Sequence, residues 1–132
     1  RDPAASASSQ RNHERIAACL QEASIALNAL HPGWHLSTAS HYQLANRFAW
    51  SWKLASLGVP VVLVYLGFIQ AAEMADLGMP FADAAAWEQI VRQHSYGSVP
   101  EHLWDTPLLV GDVPMYACIR SLYQPVPAKD GV

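Results

Sequence analysis

The chain has 132 residues, enough for one domain with a modest core; 52% of its residues are hydrophobic and only 14% are charged. Its net charge of −3 excludes the strongly basic composition of a dedicated nucleic-acid-binding domain, though not a local basic site. The apolar run at residues 59–69 is about half as long as a membrane span, and no signal peptide is present. We therefore expect a cytoplasmic protein that does not enter a membrane.

The first predicted element is a helix over residues 10–30. Its apolar side chains recur at steps of three and four, which is typical of an amphipathic helix with one buried face. These side chains are Ile16, Cys19, Leu20, Ala23, Leu27 and Leu30. Residues 1–9 are rich in alanine and serine and are expected to be flexible, with Ser8 or Ser9 as the N-cap.

A connection over residues 31–41 leads to a second helix at residues 42–57. Trp34 is predicted to be buried beneath this connection, and Ser37, Thr38 and Ser40 are the candidate caps. Gly58 is expected to end the helix in a left-handed conformation. Because Trp50, Leu54 and Leu57 make a second side apolar, we expect this helix to be buried over most of its length and open only at its first turns. All five tryptophans are expected in the core.

Residues 59–68 show no alternation of polar and apolar side chains, which predicts a central strand covered on both faces and paired in parallel. Two weaker extended segments are expected at residues 108–110 and 113–122, separated by a turn at Gly111 and Asp112. Residues 124–132 are expected to be flexible. The fold class is therefore α/β, a single domain over residues 1–132 with helices packed on a small mixed sheet.

After a loop at residues 69–82, Asp83 is the expected N-cap of a third helix over residues 84–94. Trp87, Ile90 and Val91 are predicted to face the core.

Cysteine and histidine spacing does not predict a metal site. Cys19 and Cys118 are isolated, and we expect both to be reduced core thiols. His31, His35 and His41 lie close together in the chain, and loop histidines can bind zinc. No cysteine or carboxylate joins them at a recognised spacing, so we interpret them as polar loop residues.

The best candidate site is the start of the second helix. Asn46 and Arg47 follow Gln43 by three and four residues, helical steps that bring the three side chains together, and Tyr42 lies at the edge of this group. A glutamine beside an arginine suits an anionic ligand, because the amide orients a water or phosphate oxygen and the guanidinium makes bidentate contacts. The alternative is that Asn46 and Arg47 tie the helix to the loop at residues 31–40.

These residues also carry a resemblance. The run HYQLANRFAWSWKLASLGVPVVLVYLGFIQAAEM, with the later PFADAAAWEQI, resembles the C-terminal half of a restriction-endonuclease-like domain of the PD-(D/E)XK superfamily, in particular uncharacterised bacterial members. The family's Tyr-Gln-x-x-Asn-Arg pattern is matched by Tyr42, Gln43, Asn46 and Arg47. Residues 63–68, Pro80, Trp87 and Glu88 match the apolar strand, the turn and the following helix.

The resemblance implies a restriction-endonuclease-like partial core and a nuclease that uses Mg²⁺ to hydrolyse phosphodiesters. Gln43 would be a catalytic orienting residue, and Tyr42, Asn46 and Arg47 would contact nucleic acid. In the family, the metal-binding acid and the Glu-x-Lys pair lie on strands before the position of Ala4, and this chain has none there. We therefore expect the C-terminal part of a larger nuclease-like domain, inactive as it stands, with the Mg²⁺ ligands outside this chain.

A second hypothesis is a non-catalytic interaction or oligomerisation module. So apolar and weakly charged a chain is expected to have part of its surface covered. A partner, a second copy or a missing N-terminal part would cover it.

Overall fold

The computed structural model describes residues 3–69 and 83–123, with side chains from residue 6 onward. The elements are, in chain order, α1 (Pro3–Leu30), α2 (Tyr42–Ser56), β1 (Val61–Ile69), α3 (Ala84–Ser95), β2 (Leu108–Val110) and β3 (Val113–Tyr123). A short 3-10 turn, Glu101–Leu103, follows α3. The predicted α/β class and the small mixed sheet are confirmed. Within the described residues, no helix is long and apolar enough to cross a membrane.

The sheet has the strand order β1-β3-β2, so β3 is the central strand. β1 runs parallel to β3, from Val61 opposite Met115 to Ile69 opposite Tyr123. β2 and β3 form an antiparallel hairpin, whose turn at Gly111 and Asp112 was predicted. Since the hairpin occupies the second side of β3, β1 pairs on one side only in the described part of the sheet. The prediction that this strand is central was wrong, while its parallel pairing is confirmed.

The prediction that β1 is covered on both faces was also wrong. Exposure alternates along the strand, so that Leu63 and Tyr65 are partly buried whereas Val62, Val64 and Leu66 are exposed. Helices α2 and α3 both contact the strands, and α1 packs on α2. This alternation of exposure could not be predicted from the sequence, because both faces of the strand carry apolar side chains.

The core lies between the helices and the inner face of the sheet. Its centre is an aromatic cluster of Trp34, Phe48, Tyr65 and Trp104. The ring centroids of Phe48 and Trp104 are 5.6 Å apart and those of Tyr65 and Trp104 are 5.3 Å apart, both edge-on. Such edge-to-face contacts contribute about 0.5–1.5 kcal/mol per pair beyond area burial. The predicted burial of Trp34 is confirmed.

Only the second half of α1 is packed. Leu20, Ala23 and Leu27 are buried, whereas residues 6–15 are exposed on every side of the helix. The helix starts at Pro3, where proline suits a first turn, so the predicted caps Ser8 and Ser9 lie inside it. These cap assignments were therefore wrong.

The cysteine prediction holds for one residue only, because Cys118 is buried and Cys19 is exposed.

α2 buries one face, formed by Leu44, Ala45, Phe48, Ala49, Ser51 and Ala55. The second apolar side predicted for it is exposed: Trp50 is 61% accessible, and Leu54 and Leu57 are exposed as well. The prediction that α2 is buried on both sides was wrong, because only one face of the helix meets the sheet and α1. The prediction that every tryptophan lies in the core was wrong for the same reason, since Trp50 is on the exposed side of α2.

The N-cap of α2 is also not one of the predicted serine or threonine residues. It is His41, which has a left-handed backbone and makes no side-chain cap bond. Gly58 has a φ of +91° and ends the helix as predicted.

α3 packs on the sheet through Trp87. The indole Nε1 of Trp87 donates a 3.2 Å hydrogen bond to the Tyr65 carbonyl, and the ring lies flat against Gly67, where a Cβ atom would sit 2.4 Å from it. Glycine is therefore required at position 67 by the close approach of the indole. Asp83 caps the helix as predicted, accepting from the Ala86 amide at 2.8 Å. Ile90 is exposed, so its predicted core position was wrong.

The connection over residues 31–41 is held to α1 by Asn28. Its side-chain oxygen accepts from the amides of Gly33 and Trp34, and its Nδ2 donates to the Trp34 carbonyl, each at 2.9 Å. The connection also reaches the segment after α3, because the His35 amide donates to the Ser98 carbonyl at 3.0 Å. Two distant parts of the chain thus meet at this connection.

Candidate functional site

The first turn of α2 presents the predicted polar face. The helical steps place Gln43 and Arg47 on the exposed side, with Asn46 partly buried beside them. The opposite side is fixed by Leu44 and Phe48, which are buried against the core. The structure therefore brings the three polar groups onto one face.

Arg47 lies over the ring of Tyr65, with its guanidinium carbon 5.8 Å from the ring centroid. Burial raises the pKa of the Tyr65 hydroxyl, and Arg47 opposes that rise, first through its polar side-chain contact and then through its positive charge. The hydroxyl is buried and has no hydrogen bond of normal geometry, so the contact from Arg47 is a poorly aligned one. The arginine is thus oriented by the aromatic ring of β1.

The alternative role for Arg47 and Asn46, fixing the loop at residues 31–40, is not what the geometry shows. Within residues 3–69 and 83–123, no carboxylate lies within salt-bridge distance of Arg47. The side-chain amides of Gln43 and Asn46 form no hydrogen bonds with other described residues. Tyr42, the fourth predicted residue, is partly buried and packs against the hydrophobic core. Among the described residues, this face thus presents a cationic group that no carboxylate pairs with and two amides without hydrogen-bond partners.

The described residues do not supply a Mg²⁺ site. No three histidine, cysteine, aspartate or glutamate side chains in these ranges converge as metal ligands. Mg²⁺ prefers carboxylate and water oxygens, and the Gln43 face holds only amides and a guanidinium. The residues present therefore do not fit the ion that the resemblance implies, and the predicted acids, placed outside this chain, would have to provide it.

A second candidate surface is the outer face of the sheet, which we call the open sheet face. Val62, Val64, Leu66 and Phe68 of β1 form it, with Leu109 of β2 and Leu122 of β3, and all six are exposed. From their exposed fractions, these side chains present roughly 500 Å² of apolar area, at the upper end for the largest patch on a monomer.

A polar group crosses the open sheet face beside these side chains. Asp105 accepts hydrogen bonds from Arg120 at 2.7 Å and from the Tyr116 hydroxyl at 3.1 Å. The bond from Arg120 lowers the pKa of the Asp105 carboxyl, with a smaller contribution from Tyr116. The carboxylate and guanidinium therefore neutralise one another, and this part of the face carries no net charge.

Four histidines that the sequence left apart are brought into two pairs. The Nε2 atoms of His31 and His102 are 2.7 Å apart, and the ring centroids of His41 and His94 are 4.1 Å apart. His31 and His41 lie in the connection after α1, His94 lies in the last turn of α3, and His102 lies in the 3-10 turn that follows α3. Because the partners lie far apart in sequence, no local spacing could have indicated these pairs.

No model of a known protein family, no curated protein and no solved structure matches this chain significantly.

Proposed function

We propose that this chain is a non-catalytic association module that pairs with a second copy of itself through the open sheet face. The observation that supports this is the row of four exposed apolar side chains on β1, which Leu122 of β3 adjoins opposite Phe68. The roughly 500 Å² of apolar area on the open sheet face is enough for the core of a standard interface, which buries about 800 Å² per partner with its polar rim.

Charge favours a second copy as the occupant. The Arg120–Asp105 pair is internally neutral, so two open sheet faces can approach without like-charge repulsion. A two-fold arrangement presents the same patch from both copies, and apolar patches are self-complementary in this way. Within the described sheet, the outer edge of β1 has no neighbouring strand, a further feature of strands that associate.

The test compares Val62→Glu with Ile25→Glu. Val62 is 66% exposed on the open sheet face, and Ile25 is 64% exposed on α1, so the two substitutions are matched in exposure and charge. We expect sedimentation velocity between about 1 and 100 μM to show dimers for the parent chain and for Ile25→Glu, and monomers for Val62→Glu. A parent chain that stays monomeric throughout, or equal dimerisation of both variants, would refute self-association.

We also propose a second function, in line with the resemblance: that the first turn of α2 is the nucleic-acid-binding part of a nuclease-like domain. The favouring observation is an exposed arginine that no carboxylate of the described residues neutralises. Arg47 would contact a phosphate, Asn46 and Tyr42 would border it, and Gln43 would orient the attacking water. The Mg²⁺ that the family uses would have to be held by acids from outside this chain.

Fluorescence anisotropy with labelled single- and double-stranded oligonucleotides tests this second function. We expect Arg47→Gln to weaken binding about tenfold and to lower the salt dependence by about one phosphate contact. Arg15→Gln, at an exposed arginine on α1, is the matched control and should bind as the parent does. Binding that is absent at low salt, or lost equally in both variants, would count against it.

A further inference from the structure

The pair formed by His31 and His102 has the geometry of two metal ligands. Their Nε2 atoms approach to 2.7 Å although the residues are 71 positions apart, and both are accessible at the surface. The rings are tilted by 59° with centroids 4.2 Å apart, so they do not stack face to face. Two imidazole nitrogens thus converge on one point at the surface.

The hydrogen bonds around the pair define which nitrogen holds each proton. Nδ1 of His31 lies 2.9 Å from the Pro32 carbonyl oxygen, which can only accept, so Nδ1 is the donor. In the neutral ring, Nε2 of His31 then has a free lone pair, and the Nε2–H of His102 donates to it. Metal-binding histidines commonly donate their other N–H to a backbone carbonyl in this way, which orients the ring and makes the ligand nitrogen more basic.

We propose that His31 and His102 form a two-histidine site for Ni²⁺ or Cu²⁺. Two nitrogens at about 2.0 Å from one ion lie about 2.9 Å apart at a right angle and about 3.3 Å apart at the tetrahedral angle. The observed 2.7 Å is the hydrogen-bond distance of the metal-free pair, so the nitrogens need to separate by only about 0.2 Å for the right-angled arrangement of square-planar and octahedral ions, against about 0.6 Å for tetrahedral Zn²⁺.

Binding requires only a proton shift. His102 moves its proton from Nε2 to Nδ1, so both Nε2 lone pairs face the ion and two neutral ligands form with no net proton release. The remaining positions of the ion are filled by water, because no third histidine, cysteine or carboxylate of the described residues converges there. Arg92 donates to the carbonyl of Glu101, the residue before His102, and its charge is offset by the Glu88 carboxylate.

A bound ion would join the end of α1 to the 3-10 turn and so stabilise the fold. The test uses the untagged chain with Cys19→Ser as the parent, because the exposed Cys19 thiol could bind the same ions. Ni²⁺ is titrated by calorimetry near neutral pH into this parent, into His31→Gln and into His102→Gln. His13→Gln, at an exposed histidine on α1 outside both pairs, is the matched control.

We expect either paired variant to lower the Ni²⁺ affinity at least about tenfold, and His13→Gln to leave it unchanged. Ni²⁺ should raise the melting temperature of the parent and not that of His102→Gln, and Mg²⁺ should raise neither. Electron paramagnetic resonance of the Cu²⁺ form should show two imidazole nitrogens in the parent and one in His102→Gln. Parent-like affinity in both paired variants, or a single nitrogen in the parent, would overturn the proposal.

Discussion

Removing the side chain of Asn28 should detach the connection at residues 31–41 from α1. Asn28→Ala deletes three hydrogen bonds to the backbone of Gly33 and Trp34 and a fourth, exposed one to the Ser24 carbonyl within α1, all 2.9 Å long. The three bonds to Gly33 and Trp34 contribute about 1 kcal/mol each, while water replaces the exposed bond to Ser24 at little cost. Because alanine favours the helix by about 0.7 kcal/mol, the free energy of unfolding should fall by about 2–3 kcal/mol in total. The loss is this large because the buried Trp34 is held in the core by the same bonds.

Urea denaturation followed by tryptophan fluorescence measures this change, with two further variants for comparison. Asn28→Asp keeps the two bonds that the side-chain oxygen accepts from Gly33 and Trp34 and loses the bonds that Nδ2 donates. It also places a negative charge near the C-terminal end of α1, which is unfavourable. Its stability should therefore lie between those of the parent and Asn28→Ala. Asn12→Ala makes the same substitution at an exposed position of the same helix and should change stability by less than about 0.5 kcal/mol. Equal effects of Asn28→Ala and Asn12→Ala would refute the reasoning.

Two further predictions concern α3. Gly67→Ala should destabilise the fold by about 1–3 kcal/mol, measured by urea denaturation, because the added Cβ meets the Trp87 indole. In a Trp87→Leu background, the destabilisation by Gly67→Ala should largely vanish. An unchanged destabilisation in that background would contradict the steric explanation. The pKa of His94 lies below its ordinary value of 6.5 because partial burial, and then the charge of His41, disfavour its protonated form. The unfolded chain therefore binds the proton first as the pH falls, so stability is full above about 6.5 and is lost progressively below it. His94→Gln should reduce the difference in melting temperature between pH 8 and pH 5.5, and an undiminished difference would show that another group is responsible.

The sequence was sufficient where a local rule decides the outcome. Gly58 ends α2 because its backbone is left-handed, and Asp83 caps α3 because its carboxylate reaches an orphan amide. Parallel pairing was predicted from the continuous apolar run at residues 59–68, and it is confirmed although the burial on both faces that suggested it is not. The helical face of Gln43 and Arg47 also followed directly from residue spacing.

The sequence was insufficient where the outcome depends on which elements meet. The strand over residues 61–69 looked central because both its faces are apolar, yet hydrophobicity does not tell whether a face meets a helix or solvent. Trp50 was predicted to lie in the core because its side chain is large and apolar, but α2 packs through its other face and Trp50 is exposed. The contacts between His31 and His102, and between Gly67 and Trp87, join distant segments and leave no local signal.

The parallel pairing of β1 with β3 also affects how the chain reaches its fold. Val61 pairs with Met115 about fifty residues later, and parallel strands cannot be joined by a tight turn. Closing so long a loop costs conformational entropy before the hydrogen bonds between β1 and β3 can stabilise the pair. In contrast, α1 and α2 are joined by only a short connection. We therefore expect the helical pair to form early, and docking of β1 onto the β2–β3 hairpin to limit the folding rate.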